Sequence, residues 1–160
     1  MNTMDVQISP TLEYAFSVSI TLERVYWVKP TALGAARAGV YLKDGLVFGP
    51  KLNGRVIERS GADWPLQRPN GVIDFDARYM FELDDGAIIY VQNRGYRWGT
   101  DESMAAMARR EDVDPSSYYF RVSPKFDAPE GPHEWLTRHV FVGSAEKTPA
   151  GNIIHYYQVL

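Results

Sequence analysis

Three residues of one predicted strand hairpin have the chemistry needed for proton transfer and anion binding. Asp76 and Arg78 lie two residues apart, so their side chains share one face of a strand, and Tyr90 lies on the return strand. A carboxylate or phenol shielded from water can exchange a proton, and an arginine can stabilise a developing oxyanion. We therefore treat Asp76, Arg78 and Tyr90 as candidate catalytic residues. An exposed charge network on the outside of a sheet is the alternative, and both interpretations stay open.

A second group of side chains is suited to binding a small ligand. Arg121 and Trp135 could stack on each other and bind a carboxylate or phenolate, or they could be an exposed residue and a core residue. Trp64 lies in the proline- and glycine-rich segment 60–71, where it could cover the opening of a pocket. The candidate ligand-binding residues are Trp64, Asn93, Tyr119, Arg121, Trp135, Thr137 and Arg138.

The residue types that bind metals and nucleotides are absent or scattered along the chain. There is no cysteine, and His133, His139 and His155 have neither a His-x-His nor a His-Glu-x-x-His spacing. No glycine-rich phosphate loop is present. We therefore expect neither a metal nor another cofactor. The remaining groups, Asp, Tyr, Arg and Asn, transfer protons but not hydrides, so the expected reactions are elimination, isomerisation, cyclisation or hydration.

Alternating apolar residues indicate the strands that position these groups. Residues 12–22 alternate apolar with small or polar side chains, which predicts a half-buried strand. Residues 72–81 and 87–93 do the same on either side of the turn sequence Asp84-Asp85-Gly86, which predicts a β-hairpin.

The register of that hairpin decides which side chains share a face. A two-residue turn would place Arg78 opposite Asn93 and gather both with Asp76, whereas a three-residue turn would place Arg78 opposite Gln92. The sequence does not decide between the two registers.

Shorter patterns complete the list of predicted elements. Strands are predicted at 26–28, 38–42, 46–48, 56–57, 118–123, 134–142 and 153–160, and a turn at Lys43-Asp44-Gly45. Residues 60–71 and 124–133 are predicted loops because of their prolines and glycines. Residues 100–113 favour a helix, with Thr100 or Asp101 as its cap.

Short antiparallel strands without helical crossovers are typical of an all-β fold. We predict a single antiparallel β-barrel of about eight strands with one short helical insertion near 100–113, because a barrel of that size can hold one small ligand. The domain is expected to span residues 1–160, with a disordered tail over 1–10. The insertion could be a lid over the barrel mouth, but we favour a helix packed on the outside of the barrel.

Composition excludes several classes of protein. The 160 residues carry a formal net charge of −3, which argues against a strongly basic nucleic-acid binder. No apolar run reaches the roughly 18 residues that span a bilayer, and the first residues lack the basic and apolar regions of a signal peptide. We expect a cytoplasmic protein that contacts neither membranes nor nucleic acid. Seven Phe, ten Tyr and four Trp are suited to strands and to the walls of a ligand cavity.

An ordered set of short motifs resembles a known bacterial family. The set includes Gly61-Ala62-Asp63-Trp64, Asp76-Ala77-Arg78-Tyr79, Asn93-Arg94-Gly95, Tyr119-Phe120-Arg121 and Trp135-Leu136-Thr137-Arg138. It is similar to the domain of unknown function 3237 family, the uncharacterised UPF-type barrel proteins, over roughly residues 12–160. The resemblance implies an antiparallel barrel of the allene oxide cyclase type with a pocket, but no established reaction. The family usually has Asn where this chain has Thr137.

These observations support three hypotheses about function. The leading one is a cofactor-independent lyase or isomerase that acts on a small aromatic or cyclic carbonyl compound bound in the barrel lumen. The second is a non-catalytic carrier of a small apolar ligand, which would be favoured if Asp76 and Arg78 lay outside a lumen lined only by aromatic residues. The third is a structural barrel with a packed interior, whose outer aromatic residues form a homo-oligomer.

Overall fold

The computed structural model describes residues 8–160, so residues 1–7 of the expected disordered tail lie outside the described chain. Ten strands form one sheet: β1 (Leu12–Val28), β2 (Ala36–Phe48), β3 (Gly54–Val56), β4 (Ala62–Asp63), β5 (Leu66–Gln67), β6 (Ile73–Leu83), β7 (Ile88–Gly99), β8 (Tyr118–Asp127), β9 (Phe141–Lys147) and β10 (Gly151–Val159). The helices are α1 (Asp101–Ala108) and α2 (Trp135–Arg138). Neither of these described helices is long and apolar enough to cross a membrane.

The sheet closes on itself into a barrel. β1 pairs with β10 on one side and with β2 on the other, and the remaining order runs from β10 through β9, β8, β7 and β6. β3, β4 and β5 pair with both β2 and β6, so they act as one interrupted strand of an eight-strand ring. The predicted all-β antiparallel barrel of about eight strands is confirmed, as is the short helix near 100–113.

The β6–β7 hairpin has the longer of the two turns that the sequence allowed. Residues 84–86 form the loop, and Gly86 has a φ of 88°, the left-handed conformation that favours glycine. Arg78 therefore pairs with Gln92, and Ala77 pairs with Asn93. Asn93 and Arg78 consequently point to opposite faces of the sheet.

The predicted turn at residues 43–45 is wrong, because β2 runs through it without interruption. Thr21 of β1 pairs with Asp44 and Leu22 pairs with Leu42, which leaves Lys43 unpaired in a β-bulge. The polar and glycine residues there bend a long strand rather than reverse the chain.

Two further strands run past residues that were predicted to end them. β7 continues beyond Gly95, where a Cβ atom would lie 2.1 Å from the carbonyl oxygen of Arg121, so this glycine permits a close approach of two strands. β8 continues through Pro124, which is tolerated because β8 pairs with β9 only at Arg121 and Val122.

Segment 134–142 was predicted to be a strand, but its first half is helical. Backbone hydrogen bonds from Leu136 to His133 and from Thr137 to Glu134 form the single turn α2, and β9 begins only at Phe141. The buried Leu136 closes that end of the barrel. The segment 60–71, predicted to be a loop, contains the short strands β4 and β5.

Aromatic rings fill the half of the barrel that α2 closes. The ring centroid of Phe126 lies 5.7 Å from Phe16, 5.2 Å from Phe141 and 5.6 Å from Tyr156. These rings and Phe81 are almost completely buried. Packing of this kind stabilises the fold and leaves the opposite half of the barrel free to contain a cavity.

Two neighbouring residues of β6 provide a test of the barrel's inside and outside. Phe81 is 0% exposed in the aromatic core, whereas Met80 is 38% exposed on the outer face. Phe81→Ala should lower the free energy of unfolding by about 3–5 kcal/mol because it leaves a cavity in the core. Met80→Ala should lower it by less than about 1 kcal/mol, as measured by urea denaturation. Equal losses for the two variants would contradict this orientation of β6.

Candidate functional site

The open half of the barrel contains a cavity of about 580 Å³. It lies where β7 and β9 end and β8 and β10 begin, and it adjoins a smaller space of about 50 Å³ deeper in the barrel. Met107 and Ala108 of α1 line the larger cavity. The helix therefore lies at the barrel mouth, and our preference for a helix packed on the outer wall is corrected.

Asp63 of β4 is the acidic side chain that lines both spaces. Its Oδ1 accepts a hydrogen bond from the backbone N–H of Asp76 at 3.0 Å, which fixes the carboxyl group in the lumen. Burial raises the pKa of Asp63 to about 7, and the backbone hydrogen bonds and the nearby Arg97 offset only part of this rise. A carboxyl group with a pKa near neutrality can both accept and donate a proton.

Arg97 of β7 places its guanidinium group among aromatic residues of the lumen. Its Cζ lies 5.5 Å from the ring centroids of both Phe75 and Phe120, which stack 5.1 Å apart. The Nε atom is buried and donates no hydrogen bond, and Arg97 forms no ion pair with any carboxylate of residues 8–160. Burial lowers the pKa of Arg97, while the charge of Asp63 opposes this effect. The guanidinium group therefore has a donor available for a ligand.

Four other buried polar atoms in the barrel also lack hydrogen-bond partners. They are the amide oxygens of Asn93 and Asn152 and the hydroxyl groups of Tyr79 and Tyr156. Burial raises the pKa values of both tyrosines, so their hydroxyl groups stay protonated at neutral pH. Unsatisfied buried polar groups are costly. Tyr79, Asn93 and Asn152 line the two spaces, so the hydroxyl groups of a bound compound would satisfy their polar atoms, whereas Tyr156 lies in the packed half of the barrel.

The three candidate catalytic residues lie outside the lumen. Asp76, Arg78 and Tyr90 share the outer face of the β6–β7 hairpin, where the side chains of Asp76 and Arg78 are 33% and 51% exposed. The Oδ1 atom of Asp76 accepts hydrogen bonds from Gln92 at 3.2 Å and from Arg78 at 3.5 Å. Burial tends to raise the pKa of Asp76, but these two hydrogen bonds outweigh it and lower the pKa. Their predicted position in the barrel mouth is corrected: burial of Tyr79 and Phe81 directs the alternate β6 residues Asp76 and Arg78 outward, and the three-residue turn places Tyr90 on the same face.

Only one of the candidate ligand-binding residues reaches the lumen. Asn93 is 4% exposed and lines the deeper space. Three others lie on the outer face of the sheet: Trp64, Tyr119 and Arg121. The last three belong to α2 at the closed end of the barrel: Trp135, Thr137 and Arg138. These two groups do not meet at one pocket, so their expected common site is corrected as well.

The residues that do meet in the lumen were overlooked for identifiable reasons. The return strand was predicted to end at residue 93, which removed Arg97 from the alternation that runs through Ile89 and Val91. Asp63 appeared in a motif of the family resemblance but was interpreted as part of a loop. Lys147 is the last residue of β9, and the end of that strand was predicted five residues too early. Continuing the period-two pattern of β7 would have identified Arg97.

Comparison with known proteins identifies the family of this chain. Residues 10–159 match the family model described as protein of unknown function (DUF3237). The chain belongs to this family. It is 37% identical over 155 residues to UPF0311 protein RPA1785 of Rhodopseudomonas palustris, covering 96% of this chain and 100% of the relative.

Solved structures of relatives have the same fold. The crystal structure of RPA1785, a conserved protein of unknown function, superposes with a TM-score of 0.86 at 36% identity, covering 96% of this chain and 100% of that one. A beta-barrel like protein of Acinetobacter baumannii gives a TM-score of 0.84 at 32% identity, covering 98% of this chain and 100% of that one. An enzyme from Penicillium herquei gives 0.74 at 23% identity, covering 99% and 100%, a likeness that shows the fold alone.

The titration of Asp63 should be visible in the stability of the protein. Its pKa is about 7 in the folded chain against an ordinary 3.8, so the stability contributed by the protonated carboxyl group is complete below about pH 4 and is lost as the pH rises through about 7. Asp63→Asn stays neutral. Its free energy of unfolding should therefore increase relative to wild type by about 2–4 kcal/mol between about pH 4 and pH 8.

Denaturant unfolding of both proteins across this pH range measures the difference. Asp76→Asn is the matched control, because the pKa of Asp76 is lowered and its titration is complete well below neutrality. A constant difference between Asp63→Asn and wild type from pH 4 to pH 8 would show that Asp63 has an ordinary pKa.

Proposed function

We propose that this protein is a cofactor-independent lyase or isomerase that acts on a small aromatic or cyclic carbonyl compound bound in the barrel lumen. The observation that carries the proposal is that one cavity, with Trp27 and Phe75 in its walls, contains both the proton-transfer group Asp63 and Arg97, whose Nε atom has no hydrogen-bond partner. Asp63 takes the role of acid and base, and Arg97 that of the oxyanion-binding group.

The proposed chemistry uses only proton transfer. The Asp63 carboxylate removes a proton from the carbon next to the substrate carbonyl, and the electron pair of that C–H bond moves onto the carbonyl oxygen. The guanidinium group of Arg97 donates hydrogen bonds to the resulting enolate oxygen. The carbonyl then re-forms. In isomerisation, the electron pair takes the proton of Asp63 at another carbon of a conjugated enolate; in elimination, it forms the C=C bond as the leaving group departs from the β-carbon and receives the proton of Asp63.

The walls of the cavity suit a planar substrate. Phe75 and Phe120 form a stacked pair beside Arg97, and aromatic faces of this kind pack against flat apolar ligands. The amide oxygen of Asn93, which has no hydrogen-bond partner, could accept a hydrogen bond from a substrate hydroxyl group.

Asp76 and Arg78 do lie outside the lumen, which is half of the arrangement that would favour the carrier hypothesis. The other half, a lumen lined only by aromatic residues, is not met, because Asp63 and Arg97 face the cavity.

Deuterium exchange at a ketone tests the proposal without knowledge of the natural substrate. The cyclic aryl ketones 1-indanone and 1-tetralone are incubated with the protein in D₂O, and loss of the α-proton signal is followed by NMR. Wild type should accelerate the exchange, Asp63→Asn should reduce the acceleration by roughly 10²–10⁴-fold, and Asp76→Asn should leave it unchanged.

A matched pair of arginine variants completes the test. Arg97→Gln should slow the exchange, whereas Arg78→Gln should not, because Arg97 faces the lumen and Arg78 lies on the outer face of the sheet. Binding of the ketones without exchange, or full exchange in Asp63→Asn, would contradict the catalytic proposal. Binding without exchange would favour the carrier hypothesis instead.

A further inference from the structure

The cavity mouth carries an excess of positive charge. Four cationic side chains line the cavity, namely Lys29, Arg97, Arg110 and Lys147, against the single acidic side chain Asp63. Within residues 8–160, none of the four forms an ion pair. The mouth therefore carries four cations whose charge no direct ion pair within residues 8–160 neutralises.

Of the four cations at the mouth, Arg97 is the most buried and Lys147 is the second most buried. Its Nζ donates a hydrogen bond to the carbonyl oxygen of Gly151 at 3.2 Å, which leaves two ammonium protons for other partners. Burial, together with the charges of Arg97 and Arg110, lowers the pKa of Lys147 to about 8, and the charge of Asp63 offsets only part of this effect. The neighbouring cations therefore repel one another, and a bound anion would relieve that repulsion.

We propose that the ligand of this cavity is an organic acid whose carboxylate is bound at the mouth by Lys147 and Arg110. The inference deepens the proposed function and rests on it, since it takes the cavity to be the substrate site. Arg97 lies among the aromatic rings, where it remains available for the carbonyl oxygen of the same ligand.

A carboxylate fits this mouth better than a phosphate group does. α1 ends at the cavity, with Ala108 and Arg110 in its lining, so the negative end of its dipole opposes a doubly charged phosphate more than a singly charged carboxylate. Phosphate sites typically use backbone N–H groups at the start of a helix. Side-chain cations alone are suited to a singly charged carboxylate.

Binding of a matched acid and ester tests the proposal separately from turnover. Benzoylformate and its methyl ester share an aryl ketone, and neither has a hydrogen on the carbon next to the ketone that enolisation could remove. By NMR titration, wild type should bind the acid at least roughly tenfold more tightly than the ester. Lys147→Met should abolish this preference with little change in affinity for the ester, and the exposed Lys125→Met should keep it.

A second variant keeps the test decisive if Lys147→Met fails to fold. Arg110 has a φ of 60°, so Arg110→Asn removes the charge with a residue that tolerates this backbone conformation. It should also weaken binding of the acid selectively.

Four outcomes would overturn the proposal: equal affinity for acid and ester, retention of the preference in the folded variants, no binding of benzoylformate at millimolar concentration, or stronger competition by inorganic phosphate than by acetate. Selective acid binding together with absent ketone exchange would support this inference while refuting the catalytic proposal.

Discussion

In the β6–β7 hairpin, Ala77 pairs with Asn93, and this register determines which side chains of β7 enter the barrel. Burial of the alternate β6 residues directs Asp76 and Arg78 outward, and the pairing directs Asn93 and Arg97 of β7 inward. A slip of one residue in β7 would turn Asn93 and Arg97 outward together with the core residues Ile89 and Val91. The alternation of the hydrophobic core and the composition of the candidate site are therefore fixed by the same constraint.

The barrel divides its interior between stability and binding. Near α2, the rings of Phe16, Phe126, Phe141 and Tyr156 pack against one another and leave little space. At the other end, the lumen retains polar atoms without partners and a carboxyl group with a raised pKa. Such groups reduce stability, and the densely packed half offsets that loss.

The site also depends on strands that bring distant segments together. Asp63 belongs to a two-residue strand held between β2 and β6, and its orientation depends on the hydrogen bond from the backbone of Asp76. Arg97 lies on β7 and Lys147 at the end of β9, so closure of the sheet places all three at one mouth. None of these residues is close to another in sequence.

The general architecture could be predicted from the sequence because alternation along the strands is a local property. The apolar pattern of residues 12–22 and of the hairpin around residue 85 predicted the barrel, and the composition of 100–113 predicted α1. The site residues depend on features that are not local. The turn length decided that Asn93 lies on the opposite face from Asp76 and Arg78. Gly95 permitted a close strand contact instead of ending β7, and Leu136 is buried in a helical turn rather than in a strand.

The central claim is that Asp63 is a proton-transfer group held in the lumen beside Arg97. Carbon-13 NMR of the aspartate carboxyl groups, with the Asp63 signal identified by its absence from Asp63→Asn, measures the pKa directly. The account predicts a pKa of about 7 for Asp63. In Arg97→Gln this pKa should be higher still, because the neighbouring cation that lowers it is removed. A value close to the ordinary 3.8, unchanged in Arg97→Gln, would contradict it.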